Sequence, residues 1–217
     1  MPFFILLLSV QFLQAQTTDS AIKNTAKKRI LILNAFDGTV TRHSNVTYAY
    51  EGSKKETGEK EFFQVLADSL KQILATGIKT NYRLEPEVID NIPQSTADAD
   101  SAIHALLKTK NASSAIVIRE LSVYFPQTKV DVQKNRDGSK NRTASYDICS
   151  FARYSFYTTE NNNRNSEIEK CEYFSQREVI SGLFAVGPRV LKKKKDAFKQ
   201  ISKNADGYLM EIRNELK

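Results

Sequence analysis

The sequence predicts an α/β fold: a mixed sheet of order β-α-β-α-β, then an antiparallel meander and a C-terminal helix, with the helices mainly on one face. Three observations carry this. Two short runs, 29–36 (RILILNAF) and 114–118 (SAIVI), have the nearly unbroken hydrophobicity of strands buried on both faces. The segments after them repeat apolar residues at spacings of three and four, as helices lying on a sheet do. From 129 to 175 the repeat shortens to two, broken by Asp137-Gly138 and by the polar run 158–166, which is the pattern of a meander.

Composition fits one globular domain. The 217 residues are 41% hydrophobic and 26% charged, with 8 Gly and 5 Pro, which excludes collagen-like and linker-dominated chains. Two Cys and two His exclude a four-cysteine zinc site and a disulfide-dense miniprotein. Residues 3–13 (FFILLLSVQFL) form an apolar run far short of the roughly 20 that span a bilayer. With Leu13-Gln14-Ala15 after it, the run reads as a secretory signal peptide, although Met1-Pro2 supplies no basic residue. The expected organisation is a signal peptide at 1–15, a flexible lead-in at 16–28 and a single α/β domain at 29–217. No Cys precedes the domain and no later segment reaches 18 apolar residues. The expected product is periplasmic or secreted, neither lipid-anchored nor membrane-spanning.

Within the domain, the strand 29–36 ends at Asp37-Gly38, and 39–58 reads as a long polar surface loop. A helix is expected at 59–77, with Phe62, Phe63, Leu66, Leu70, Ile73 and Leu74 on one face and Gly77 as its C-terminal cap. The segment 83–89 alternates but contains Pro86, which lacks an N–H and suits an edge strand. A second helix is expected at 96–109, carrying Ile103, Leu106 and Leu107. Strands follow at 114–125 and 129–134, a hairpin at 135–138, and further strands at 143–157 and 167–175. The helix 196–216 closes the chain with Ile201, Ala205, Leu209, Ile212 and Leu216 in a stripe. Right-handed crossovers would set the first three strands side by side and parallel.

One motif suggests chemistry. Residues 30–41 resemble the first motif of haloacid-dehalogenase-type phosphatases, an apolar strand followed by D-x-D-G-T. Asp37 matches the second Asp, but Ala35 stands where the nucleophile belongs, and no G-D-x-x-x-D or D-D pair follows to hold a metal. A secreted metal-dependent hydrolase with Asp37 near its site is therefore the secondary expectation. His43 and Ser44 lack a G-x-S-x-G elbow, and His104 sits at the edge of a helical stripe as a structural residue. No catalytic residue, cofactor or metal is assigned.

Cys149 and Cys171 are equidistant from Glu160, so a hairpin centred there would place them opposite each other. That favours a disulfide; two buried thiols in a shifted register is the other reading. Lys192, Lys193, Lys194 and Lys195, with a net charge of +7, form either a solvated helix face or a patch for anionic lipid or cell-wall polymer. Nucleic acid is not an expected partner of an exported protein. Three sequons, at Asn45, Asn111 and Asn141, matter only in a eukaryotic secretory pathway.

The element order, the first strand ending in Asn34-Ala35-Phe36-Asp37, the helix from Phe62 to Leu74 and the apolar strand Ala115-Ile116-Val117-Ile118 together resemble a group of bacterial envelope proteins. These share the fold of the TolB amino-terminal domain, LpoB and CsgG. The resemblance spans about 29–125 and implies an exported, non-catalytic accessory or binding protein of the cell envelope that contacts an envelope protein partner. Exposed loops often carry such contacts. The candidates are His43, Tyr48 and Tyr50 in 39–58, and Asn162 and Arg164 in 158–166.

Overall fold

A computed structural model describes residues 28–40, 46–48, 56–90, 100–138, 140–160, 163–179 and 190–217. The expected signal peptide at 1–15, and the expected lead-in as far as residue 27, lie outside them. The elements are β1 (Lys28–Asn34), β2 (Val46–Tyr48), α1 (Glu56–Asn81), β3 (Leu84–Ile89), α2 (Asp100–Lys110), β4 (Ser114–Lys134), β5 (Lys140–Thr158), β6 (Asn163–Val179) and α3 (Val190–Glu211). They form one mixed sheet in the order β3-β1-β4-β5-β6, with β2 paired to β4 off that path. β1 is parallel to both its neighbours, and the remaining pairs are antiparallel. This is the α/β class that the sequence predicts.

β1 organises two cores. Ile30, Leu31, Ile32 and Leu33 are all fully buried, and alternation sends them to opposite faces. Ile30 and Ile32 join Ile116 and Ile118 beneath Phe63, Leu66 and Leu70 of α1, Ile201 and Tyr208 of α3, and Ile212 just after α3. Leu31 and Leu33 join Ala115, Val117 and Tyr157 beneath Ile103 and Leu107 of α2. Crossovers of one hand that run in opposite directions along a sheet place their helices on opposite faces. The step from β1 out to β3 and the step back over β1 to β4 run in opposite directions, and α1 and α2 do lie on opposite faces. Two of the three described helices share one face.

The differences from expectation are local. Gly77 does not end α1. A Cβ at Gly77 would stand 2.6 Å from Leu209 Cδ1, so its bare backbone lets α1 approach α3. α1 runs on to Asn81, and the Tyr82 hydroxyl then donates to the Leu209 carbonyl at 3.1 Å. The expected strands 114–125 and 129–134 are one strand with irregularities at Ile118/Glu120 and Gln127/Lys129. Part of the expected 39–58 loop is β2, whose Val46 lies opposite Pro126. The expected 158–166 loop shortens because β6 begins at Asn163, and α3 begins at Val190 rather than 196. α2 ends where Asn111 takes a φ of 50° and the Ala112 N–H reaches back to the Leu107 carbonyl at 2.9 Å, a Schellman-type close.

α3 is fixed to the meander by polar bonds as well as packing. The Tyr154 and Tyr208 rings stack at 3.9 Å. The Tyr154 hydroxyl donates to Asn204 Oδ1 at 2.7 Å, and Asn204 Nδ2 donates to the Ile168 carbonyl at 2.8 Å. Lys203 and Lys199 pair with Glu172 of β6. The Lys203 bond, against a smaller opposing effect of burial, holds the Glu172 carboxyl below its ordinary 4.5. A depressed folded value means this stabilisation is complete above the ordinary value and is lost as the pH falls through the folded one. Glu172→Gln should therefore flatten the acid limb of a stability–pH curve below about pH 4.5, as read by urea midpoints.

β1 leaves the sheet through Asp37-Gly38-Thr39. Gly38 has a φ of +86°, and a Cβ there would lie 2.5 Å from the Lys60 carbonyl oxygen. Gly38→Ala should cost about 1–3 kcal/mol, read as a lower urea midpoint with an unchanged slope.

Candidate functional site

In α/β sheets, ligands bind at the carboxyl ends of the parallel strands. Here that end is marked by Asn34 of β1 and its partner Ile118 of β4. Asp37 lies just beyond Asn34. Its Oδ1 accepts the Thr39 N–H at 2.8 Å and its Oδ2 the Thr39 hydroxyl at 2.9 Å, with Lys60 Nζ at 3.9 Å. Burial works to raise its pKa, but these partners outweigh it and hold the carboxyl below its ordinary value. Asp37 closes a turn and braces it against α1.

The chemistry at this end gathers on the α2 side. An open cleft of about 340 Å³ is lined by Asp100, Arg119, Arg153, Ser155, Tyr157, Asn163 and Asn165. The topology explains the gathering. Arg119 follows the last residue of β4 paired to β1, and Asp100 opens α2. Arg153, Ser155 and Tyr157 alternate along β5, opposite Glu167, Asn165 and Asn163 of β6. Arg119 Nε donates to Ser155 Oγ at 3.2 Å and Nη2 to the Tyr157 hydroxyl at 2.5 Å. The Tyr157 hydroxyl donates to Asp100 Oδ1 at 2.8 Å, and Asn163 Nδ2 donates to Oδ2 at 3.2 Å. Ser155 donates to Asn165 Oδ1 at 2.7 Å. Arg153 is held by Glu120 at 3.1 Å and Glu167 at 2.9 Å. Burial first, then the bond to Asp100, raises the Tyr157 pKa against the opposing pull of Arg119, so the hydroxyl keeps its proton.

From the cleft, the outer face of β4–β6 continues past the reach of α2. It presents Phe151, Glu169, Cys171 and the half-exposed Tyr173, and the Tyr124 hydroxyl bonds Glu169 across it. Cys149 and Cys171 sit directly opposite each other in the register and are disulfide-bonded, with Cα atoms 4.1 Å apart. That spacing belongs to the closely spaced type of antiparallel pair.

The residues singled out from sequence fall in different places. His43, Tyr50 and Asn162 lie outside the described residues. Tyr48 ends β2 opposite Tyr124. Arg164 belongs to β6, where its guanidinium bonds Glu215 at 2.6 Å and Glu211 at 2.7 Å, clamping the C-terminal segment. Lys192, Lys193 and Lys194 lie in the first turn of α3, and Lys195 is exposed on it. His104 meets the Tyr157 ring edge-on at 5.8 Å behind the cleft. Sequence reading missed the cleft. Its available signal was Arg119, which breaks an apolar strand, together with polar residues at every second position in 153–157.

No protein-family model matches the chain, and no curated protein matches it. Among solved structures, it is similar to a neuraminyllactose-binding hemagglutinin homolog from Helicobacter pylori, with a TM-score of 0.44, 8% identity and 85% of each chain covered. Among the described residues, no helix is long and apolar enough to cross a membrane.

The disulfide closes a loop between residues 22 apart in sequence. In the chain-entropy account, that stabilises the fold by about 3 kcal/mol. The double variant Cys149→Ser/Cys171→Ser should lose that amount in urea unfolding and become insensitive to added dithiothreitol.

Proposed function

We propose that this protein is an exported, non-catalytic binding protein of the bacterial cell envelope, of the kind to which its first strand and helices are similar. It works by holding a protein partner on the outer face of β4–β6. The observation that carries this reading is that face itself. It is a long sheet surface that no described helix covers, cross-linked by Cys149–Cys171 and presenting Phe151, Tyr124 and Tyr173 among carboxylates. Aromatic side chains on a firm backbone are favoured contact groups because they bury large area for little lost entropy. The alternative, a hydrolase acting through Asp37, draws little support from the geometry, because both carboxylate oxygens are bonded within the turn. Ser155 likewise bonds an amide oxygen and a guanidinium, neither of which is a base.

Photo-crosslinking residues placed at Phe151 and Tyr173 of the secreted protein should each capture the same envelope protein. The same group at Val65 of α1, exposed on the opposite side of the molecule, should not. Equal capture from all three positions would remove this face from the reading. A mature amino terminus other than Gln16 would remove the cleavage site.

A further inference from the structure

We propose that the outer end of the β4–β5 hairpin is a docking surface for an anionic lipid bilayer. It is separate from the protein contact assigned to the outer face of β4–β6.

β4 runs beside β2 as far as Pro126, and β5 runs beside β6 from Thr143 onward. Beyond those points the hairpin, 127–142, is a two-stranded ribbon to which no other strand is paired among the described residues. The register gives this ribbon two unlike sides. Directly opposed residues of an antiparallel pair share a face, and so do residues two apart along a strand. Val130, Val132 and Lys134 therefore lie on one side with their partners Ala144, Arg142 and Lys140. Lys129, Asp131 and Gln133 lie on the other with Ser145, Thr143 and Asn141. Asp131 is the one acidic residue of these strand segments, and it is bonded to Lys129 at 3.0 Å on that second side. The first side thus combines two valines with three basic residues and no acidic one.

Further in, this first side belongs to the core beneath α1 and α3, where Phe125 and Ala144 are buried. Past the core the burial stops. Val130 is 47% exposed and Val132 is 53% exposed. Lys134 and, in the turn, Arg136 are exposed with them. Single exposed valines are ordinary on a protein surface. Two in succession on one side of a projecting ribbon, with only basic charge on that side, make an amphipathic surface.

The charge and the composition select the partner. Residues 127–142 hold five basic and two acidic residues, a net +3 within the chain's +7. A bilayer with acidic phospholipids presents a plane of phosphates over an apolar interior, so it answers the basic residues and the valines together. Protein interfaces centre on aromatic anchors and are poor in Lys, whereas 127–142 has three Lys and no Phe or Tyr. Single-stranded nucleic acid would likewise call for stacking aromatics.

The chain contains no Trp, so Val132→Trp sets a single fluorescent reporter on the ribbon and Val65→Trp sets one on α1. The test mixes the full secreted protein with vesicles of phosphatidylglycerol and phosphatidylcholine in equal parts, or of phosphatidylcholine alone. The unaltered protein should sediment with the first at low salt, not with the second, and should be released as salt is raised. The emission of Val132→Trp should shift to the blue on the acidic vesicles, and that of Val65→Trp should not. Lys134→Gln/Arg136→Gln should lower the affinity by about 30-fold, the combined effect of two charges near an anionic surface. Lys79→Gln/Lys108→Gln removes the same charge from exposed helix positions and should change it by no more than about twofold, because distant charges are screened. Circular dichroism identifies any variant that has failed to fold, and the sedimentation of the unaltered protein with the Val132 reporter then decides. No sedimentation, an unmoved Val132 reporter, equal shifts at both reporters, or equal losses from the two Gln pairs overturns the proposal. Each of these results leaves the crosslinking test of the outer sheet face standing.

Discussion

Everything in this fold follows from the need to cover β1 on both sides. Four consecutive apolar side chains, Ile30 to Leu33, point alternately up and down, and none is exposed. Each is worth about 1.5–3 kcal/mol when taken out of water, so neither face can stay bare. A chain that winds β1, α1, β3, α2, β4 covers both, because its two crossovers travel in opposite directions from β1. The order β3-β1-β4 and the placement of α1 and α2 are consequences of that requirement. Pro86 fits the outcome, since β3 is an edge strand among the described residues.

The same arrangement leaves part of the sheet uncovered. β4 has 21 residues and only Ser114 to Ile118 pair with β1, so about three-quarters of β4 extends beyond the parallel region. On one face α3 follows this extension, packing Tyr208 on Tyr154 and bonding β6 through Asn204 and Gln200. On the other face α2 is 11 residues long, about 16 Å, and cannot. The strands there are tied sideways instead, by the disulfide, by Tyr124 to Glu169, and by Arg153 between Glu120 and Glu167. Cross-strand ties of this kind hold a sheet whose face lacks a packing partner.

This division also explains what was legible in the sequence. Elements buried on a whole face announce themselves by period, which is why β1, β4, α1 and the antiparallel strands were placed from residues alone. The register of β5 with β6 was open between two readings, and the structure takes the one centred at Glu160, which pairs Cys149 with Cys171. Gly77 misled because a glycine that ends a helix and one that admits a neighbouring helix look the same in one dimension, and Leu209 is distant in sequence. β2 was missed because three residues have no measurable period. The cleft was missed because its members come from α2, β4, β5 and β6, and each is an ordinary polar residue locally. Only the sheet order makes Asp100 and Arg119 neighbours.

The tyrosine between those two charges decides what kind of place the cleft is. An arginine and an aspartate in direct contact would close on each other as one ion pair. Here the Tyr157 hydroxyl stands between them and takes a bond from one and gives a bond to the other. Burial and Asp100 raise its pKa, so it stays a neutral donor and does not become a phenolate that would release Asp100 and seize Arg119. The spacer is itself anchored in the α2-side core, its ring packed with Leu31, Leu33 and Ile103. The separation of the two poles is therefore set by core packing, and the strand whose burial demanded α2 also fixes the geometry of the cleft.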